Sequence, residues 1–117
     1  MKYFISPDQE PKEKLIEENI LEIILRNFPN SKVERIKDEK RIYSFEIICR
    51  EDDSFVEILI PKTLDSIVIN TNILEDLVIL ISEIRKQFSK NENVLLYDEA
   101  YSYIVTIPMG GITVDML

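Results

Sequence analysis

Histidine is absent from the 117 residues, cysteine occurs once and glycine twice. Each shortage removes a class of chemistry. Without histidine there is no imidazole general base, no Ser-His-Asp site and no mixed His/carboxylate zinc centre. The lone Cys49 cannot close an intrachain disulfide or build a multi-cysteine metal site. A disulfide-stapled secreted scaffold is therefore excluded, and a cytoplasmic location is expected. Gly110 and Gly111 stand side by side, without the Lys-Ser/Thr sequence of a P-loop or the spacing of a dinucleotide fingerprint. No apolar run has the length and continuity of a membrane helix. The opening MKYFISPDQE lacks the longer hydrophobic region and cleavage pattern of a signal peptide. No cofactor and no metal site are predicted.

Basic residues are also short. Lys and Arg number 14 against 22 Asp and Glu, a formal net charge of −8. That balance disfavours non-specific binding to nucleic acid or to an anionic membrane, because both are negatively charged. It is compatible with a basic protein partner and with simple solvation. A hydrophobic content of 45% fits a folded chain, and the length suits one domain over 1–117 rather than two.

The strongest local pattern is TNILEDLVILISEIRKQF, residues 71–88. Thr71 or Asn72 is a candidate cap, and Glu75 stands three residues after Asn72, as in a capping box. Glu75 and Asp76 suit the positive end of a helix dipole, Arg85 and Lys86 the negative end. At 3.6 residues per turn, Leu74, Leu77, Val78, Ile81, Ile84 and Phe88 share a face that Ile73 and Leu80 widen. Such a face suits packing on a sheet and is too broad for a coiled-coil seam. Ile79 points away from it, as one exposed apolar residue or as a second contact surface.

In chain order, Lys2 to Ile5 reads as a short edge strand. Ser6 with Gln9 resembles a capping box, but Pro11 would then fall inside the helix. A helix starting at Pro11 and running to about Asn27 is cleaner, with Ile16, Ile20, Leu21, Ile23, Ile24 and Phe28 on its apolar face. Strands are predicted at 32–36, 42–49, 55–60 and 67–70. Tyr43, Phe45, Ile47 and Cys49 alternate with Ile42, Ser44, Glu46 and Ile48, and the first set is expected to face the helices. Residues 94–97 and 101–107 form a hairpin around Asp98-Glu99-Ala100, and ITVDML adds a small edge element or frays. The fold class is α+β: a single domain with a mostly antiparallel, curved sheet and two helices packed on one face. The strand at 55–60 is apolar on both sides, which leaves room for a groove or a dimer interface.

Carboxylates are plentiful and so carry little information singly. Glu51, Asp52 and Asp53 share a turn and offer oxygen ligands to a hard cation, but their spacing is not that of a calcium loop. Asp98 and Glu99, between Tyr97 and Tyr101 and with Tyr103 beyond, set acidic groups beside aromatic rings, a mixture suited to protein recognition. In a hairpin some of those rings pack on the sheet instead. The expected function is a protein-binding or regulatory module, with Asp98, Glu99, Tyr101, Tyr103 and Ile79 as its partner-binding residues. The helix-strands-helix-strands order resembles that of secretion chaperones in outline, without their usual final helix; small acidic immunity proteins share the size and charge. Two other readings stand beside it: a carboxylate-based enzyme dependent on a divalent cation, and a structural homodimer with no separate ligand.

Overall fold

The computed structural model describes residues 2–9, 14–36, 40, 42–51, 54–102 and 104–117. Among the described residues seven strands and two α-helices follow in the order β1 (Lys2–Pro7), α1 (Glu17–Asn27), β2 (Lys32–Arg35), β3 (Tyr43–Glu51), β4 (Ser54–Pro61), β5 (Ile67–Thr71), α2 (Leu74–Arg85), β6 (Val94–Asp98) and β7 (Ile104–Thr106). The strands make one sheet in the order β2-β3-β4-β5-β1-β6-β7. Every pairing is antiparallel.

Two-residue alternation divides this sheet into two faces. Tyr3, Ile5, Ile47, Ile58, Ile69 and Leu96 are buried on one of them, and the registers Tyr3↔Ile69, Ile5↔Leu96 and Ile47↔Ile58 bring these rows together across strands. Both helices cover that face. α1 contributes Ile20, Ile23 and Ile24, and α2 contributes Leu77, Leu80, Ile81 and Ile84, all within one hydrophobic core. Burying each such side chain is worth about 1.5–3 kcal/mol. Phe45, Ile47 and Cys49 face this core as expected. Tyr43, beyond an irregularity in the β3–β4 register, is half-buried.

The N-terminal strand is not at an edge. β1 lies between β5 and β6 and pairs with both. Its local pattern is short, and its central place comes from pairing on both sides, Ile5 with Ile67 and with Leu96, while Tyr3 and Ile5 are 4% and 0% exposed.

The helix starts also differ from the sequence reading. Pro11 lies outside the described residues, but residues 14–16 are not helical. Leu15 is buried, and its amide donates to the Leu64 carbonyl at 2.8 Å. The chain is thus pinned to the β4–β5 turn before it coils, with the 56%-exposed Ile16 at the helix boundary. Ser6 lies in β1 and caps no helix. In α2 the boundary residue is Ile73, with no side-chain cap. The candidate caps bond to β4 instead of capping the first turn: Thr71 Oγ1 donates to the Phe55 carbonyl while accepting from the amide of the boundary residue Ile73 at 3.1 Å, and Asn72 Oδ1 accepts from the Phe55 amide. Both tie the helix entry to β4. Starting at Leu74 leaves that residue exposed rather than packed. At the other end the chain continues from Arg85 in tight turns that bury Phe88.

Arg85 is itself buried. Its Nε donates to the Ile107 carbonyl at 2.8 Å, and its terminal nitrogens donate to the carbonyls of Ser89 and Glu92 at 3.2 and 2.9 Å. Burial lowers its pKa and nearby Glu92 partly counters this. The helix end, the following loop and the exit of β7 are held by one guanidinium. Beyond β7 the chain turns at Gly111, which has φ +88. Ser82 Oγ on α2 accepts from the Ile112 amide at 3.1 Å. The last residues form a single 3-10 turn over Val114–Met116 rather than an added edge strand.

Candidate interaction site

β6 alternates Val94, Leu96 and Asp98 inward with Leu95 and Tyr97 outward. This phase fixes what the acidic-aromatic patch becomes. Asp98 is 7% exposed. One carboxylate oxygen accepts from the Ser102 amide at 2.7 Å, and the other accepts from the Ser102 hydroxyl. The Tyr101 amide donates to the Asp98 carbonyl at 3.1 Å. Asp98 therefore closes the turn from β6 to β7 from within, the local role that aspartate fills in many turns.

That turn sets Tyr101 at φ 53, in the left-handed region. For a residue with a Cβ this costs about 1–2 kcal/mol. The stacking of its ring offsets part of that cost. Tyr101 lies over Tyr97, with centroids 5.3 Å apart and planes within 9°. On the other side Tyr97 lies over Phe4 at 5.4 Å and 11°. Phe4 and Tyr97 are cross-strand partners in the β1–β6 register, and the Tyr97 hydroxyl lies 3.1 Å from Ser6 Oγ. Three rings thus form a ladder on the sheet face opposite the helices. Its outermost member, Tyr101, is still 69% exposed.

Glu99 is exposed beside this ladder. Ile104, paired with Tyr97, is 59% exposed. β7 begins only at Ile104, so Tyr101 belongs to the turn and not, as its sequence suggests, to the strand. Tyr103 lies outside the described residues. Ile79 is 44% exposed on α2, on the helix-covered side of the sheet, so the structure does not bring it together with Glu99 and Tyr101. Phe4 was not among the expected site residues. Its place in the ladder depends on the β1–β6 register, which leaves no local trace in the sequence.

The remaining face carries half-buried Ile48, Leu59 and Leu95 with buried Val68. A shallow groove of about 440 Å³ borders Tyr97 near Asp8 and Asp65. Both carboxylates accept hydrogen bonds from neighbouring side chains, Asn93 to Asp8 and Thr63 to Asp65. Glu51 ends β3, while Asp52 and Asp53 lie outside the described residues. Among the described residues no group of three or more acidic or cysteine side chains is placed to hold a metal ion. No helix among them is long and apolar enough to cross a membrane. Cys49 is buried beside Val56, its cross-strand partner.

No protein-family model matches the chain, and neither a curated protein nor a solved structure matches it significantly.

Proposed function

We propose that this chain is a protein-binding or regulatory module that recognises its partner through Tyr101 and the ladder beneath it. The observation that carries the reading is an exposed aromatic ring held in a fixed place. Tyr101 is 69% exposed, yet its backbone is set by the Asp98 turn and its ring by Tyr97. Rigid aromatics lose little freedom on binding and are over-represented among the residues that dominate interface energies. Glu99 adds a negative charge at the rim, where charge steers encounter and selects partners. Asp98 acts indirectly, by holding Tyr101 in place. Ile79 would form a separate contact on the helix side.

The test is a pull-down from native host lysate with wild type, Tyr101→Ala and Ile79→Glu, followed by calorimetry with whatever protein is retained. The reading requires a stoichiometric partner whose affinity falls at least tenfold with folded Tyr101→Ala. A partner insensitive to Tyr101→Ala would remove the ladder from the function. A doubled mass in sedimentation, with no partner retained, would favour a homodimer. Immunity-like and chaperone-like proteins share the small acidic character of this chain, and the cytoplasm, where Cys49 stays reduced, is the setting proposed.

A further inference from the structure

The two edges of the sheet differ in chemistry. β2, at one edge, reads Lys-Val-Glu-Arg and is exposed throughout. Arg35 lies over the Phe45 ring at 4.5 Å. Alternating charge on an outer strand is a common protection against adding another strand. β7, at the other edge, is Ile-Val-Thr and carries no charge. Among the described residues nothing pairs with its outer side. The tail does not cover it either, because Gly111 turns the chain toward α2, where Ile112 is bonded to Ser82. Exposed Ile104 on β7 and exposed Tyr101 on the turn before it leave apolar surface at this edge.

Charge specifies what such an edge would accept. From Asn91 to Leu117 the chain has four acidic side chains and no lysine or arginine; Asp98 is buried and spent on Ser102, and Glu99 is the exposed carboxylate on the turn before β7. Arg85 does reach this segment, but it is buried and its guanidinium is spent on backbone carbonyls. A second copy would bring like-charged segments together in a chain of net charge −8. A basic segment would meet the opposite charge.

We propose that the β7 edge binds an extended, lysine- or arginine-bearing segment of a partner protein, added as an eighth strand. Backbone hydrogen bonds to β7 give the register, as in other strand-addition complexes. Alternate side chains of the segment fall on the open face beside Ile104 and Tyr101, and its cations meet Glu99. The proposal rests on the protein-binding reading and names the chemistry of the partner.

The experiment is affinity selection of a random ten-residue peptide library on the purified full chain. Selection is repeated on Ile104→Lys and on the opposite-edge control Val33→Lys, with folding of each checked by circular dichroism. An enriched peptide is then titrated while backbone amide shifts are followed by NMR. The expected result is enrichment of Lys/Arg-rich peptides with alternating β-branched residues. Their shifts should centre on Ile104–Thr106, their affinity should fall at least tenfold in Ile104→Lys, and Val33→Lys should leave it unchanged. No enrichment, neutral or acidic winners, or shifts centred on β2 or the helices would each overturn the proposal. So would sedimentation showing a dimer abolished by Ile104→Lys, which would make a second copy the occupant. If selection fails while a lysate partner still depends on Tyr101, the protein-binding reading stands and only the strand addition falls.

Discussion

Arg85 joins the end of α2 to the exit of β7 through a 2.8 Å hydrogen bond from Nε to the Ile107 carbonyl, at a position only 3% exposed. A guanidinium can serve several carbonyls at once because its donors are fixed in a planar fork. Removing it strands those carbonyls in the interior. Arg85→Leu is expected to lower stability by about 3 kcal/mol. Arg85→Lys should recover less than half of that loss, since an ammonium on a flexible stem cannot repeat the fork. Urea unfolding of the three proteins measures both numbers.

Gly111 faces a second constraint of the same segment. A Cβ placed there would lie 2.5 Å from Ser82 Oγ and 2.6 Å from its Cβ, at a backbone φ of +88. Conformation and contact both oppose a side chain. Gly111→Ala should cost about 1–3 kcal/mol and release the Ile112 amide from Ser82, visible as faster hydrogen exchange at Ile112. Nothing lies within 4 Å of a Cβ at Gly110, so contact adds no cost to Gly110→Ala, which should be the milder change.

Glu83 links the helices. Its carboxylate accepts from Arg26 at 2.9 Å and from Asn27 at 2.8 Å. Burial pushes its pKa up, but the hydrogen bonds from Arg26 and Asn27 and the charges of Arg26 and Lys86 outweigh this, leaving it below the usual value of 4.5. A folded pKa below the unfolded one means the stabilisation is present above about pH 4.5 and is lost as pH falls through the lower folded value. The contribution is about 0.5–1 kcal/mol, since the pair is partly exposed. Glu83→Gln should lower stability by that amount above about pH 4.5 and remove the acid-side slope, so that the two curves of stability against pH converge at low pH.

Tyr101 permits stability and recognition to be separated. Tyr101→Ala loses the ring and keeps the cost of the left-handed backbone; Tyr101→Gly loses the ring and the cost together. Tyr101→Gly should therefore be the more stable of the two by about 1 kcal/mol. Both should lose the partner. A variant ranking reversed in thermal unfolding would mean that the φ of 53 is not a feature of the folded chain in solution.

Asp98→Ala should affect the same ring indirectly. With the carboxylate gone, the Ser102 amide and hydroxyl lose their acceptor and the turn loosens, at a cost of about 1–3 kcal/mol. The near-ultraviolet dichroism of the stacked tyrosines should fall in step, while an exposed change such as Glu99→Gln leaves that signal intact.

The sequence was most readable where physical patterns are local. The alternation at Phe45, Ile47 and Cys49 places those residues on the core face. The spacing of Leu77, Ile81 and Ile84 places α2 on the sheet, and both follow from the period of one element. It was least readable where a residue answers to a distant partner. Thr71 and Asn72 have the chemistry of caps, but both bond to Phe55 on β4, and Thr71 reaches the helix entry only through the Ile73 amide. Lys2 to Pro7 has too few residues to announce a central strand, and its place depends on Ile67 and Leu96. The candidate site shows the same split. Tyr101 stands out locally, while Phe4 joins it only through the β1–β6 pairing.

The central position of β1 also bears on how the chain assembles. β5 and β6 do not adjoin, so β1 is the seam between the β2–β5 block and the β6–β7 pair. On a ribosome the strand made first has no place until Ile67–Thr71 has emerged, and lacks its second flank until Val94–Asp98 follows. Tyr3 and Ile5 remain uncovered through most of synthesis, and closing such distant pairings is slow. The nascent domain is thus most vulnerable to wrong association at β1, and a chaperone that shields this strand would raise yield more than one acting on the completed helices.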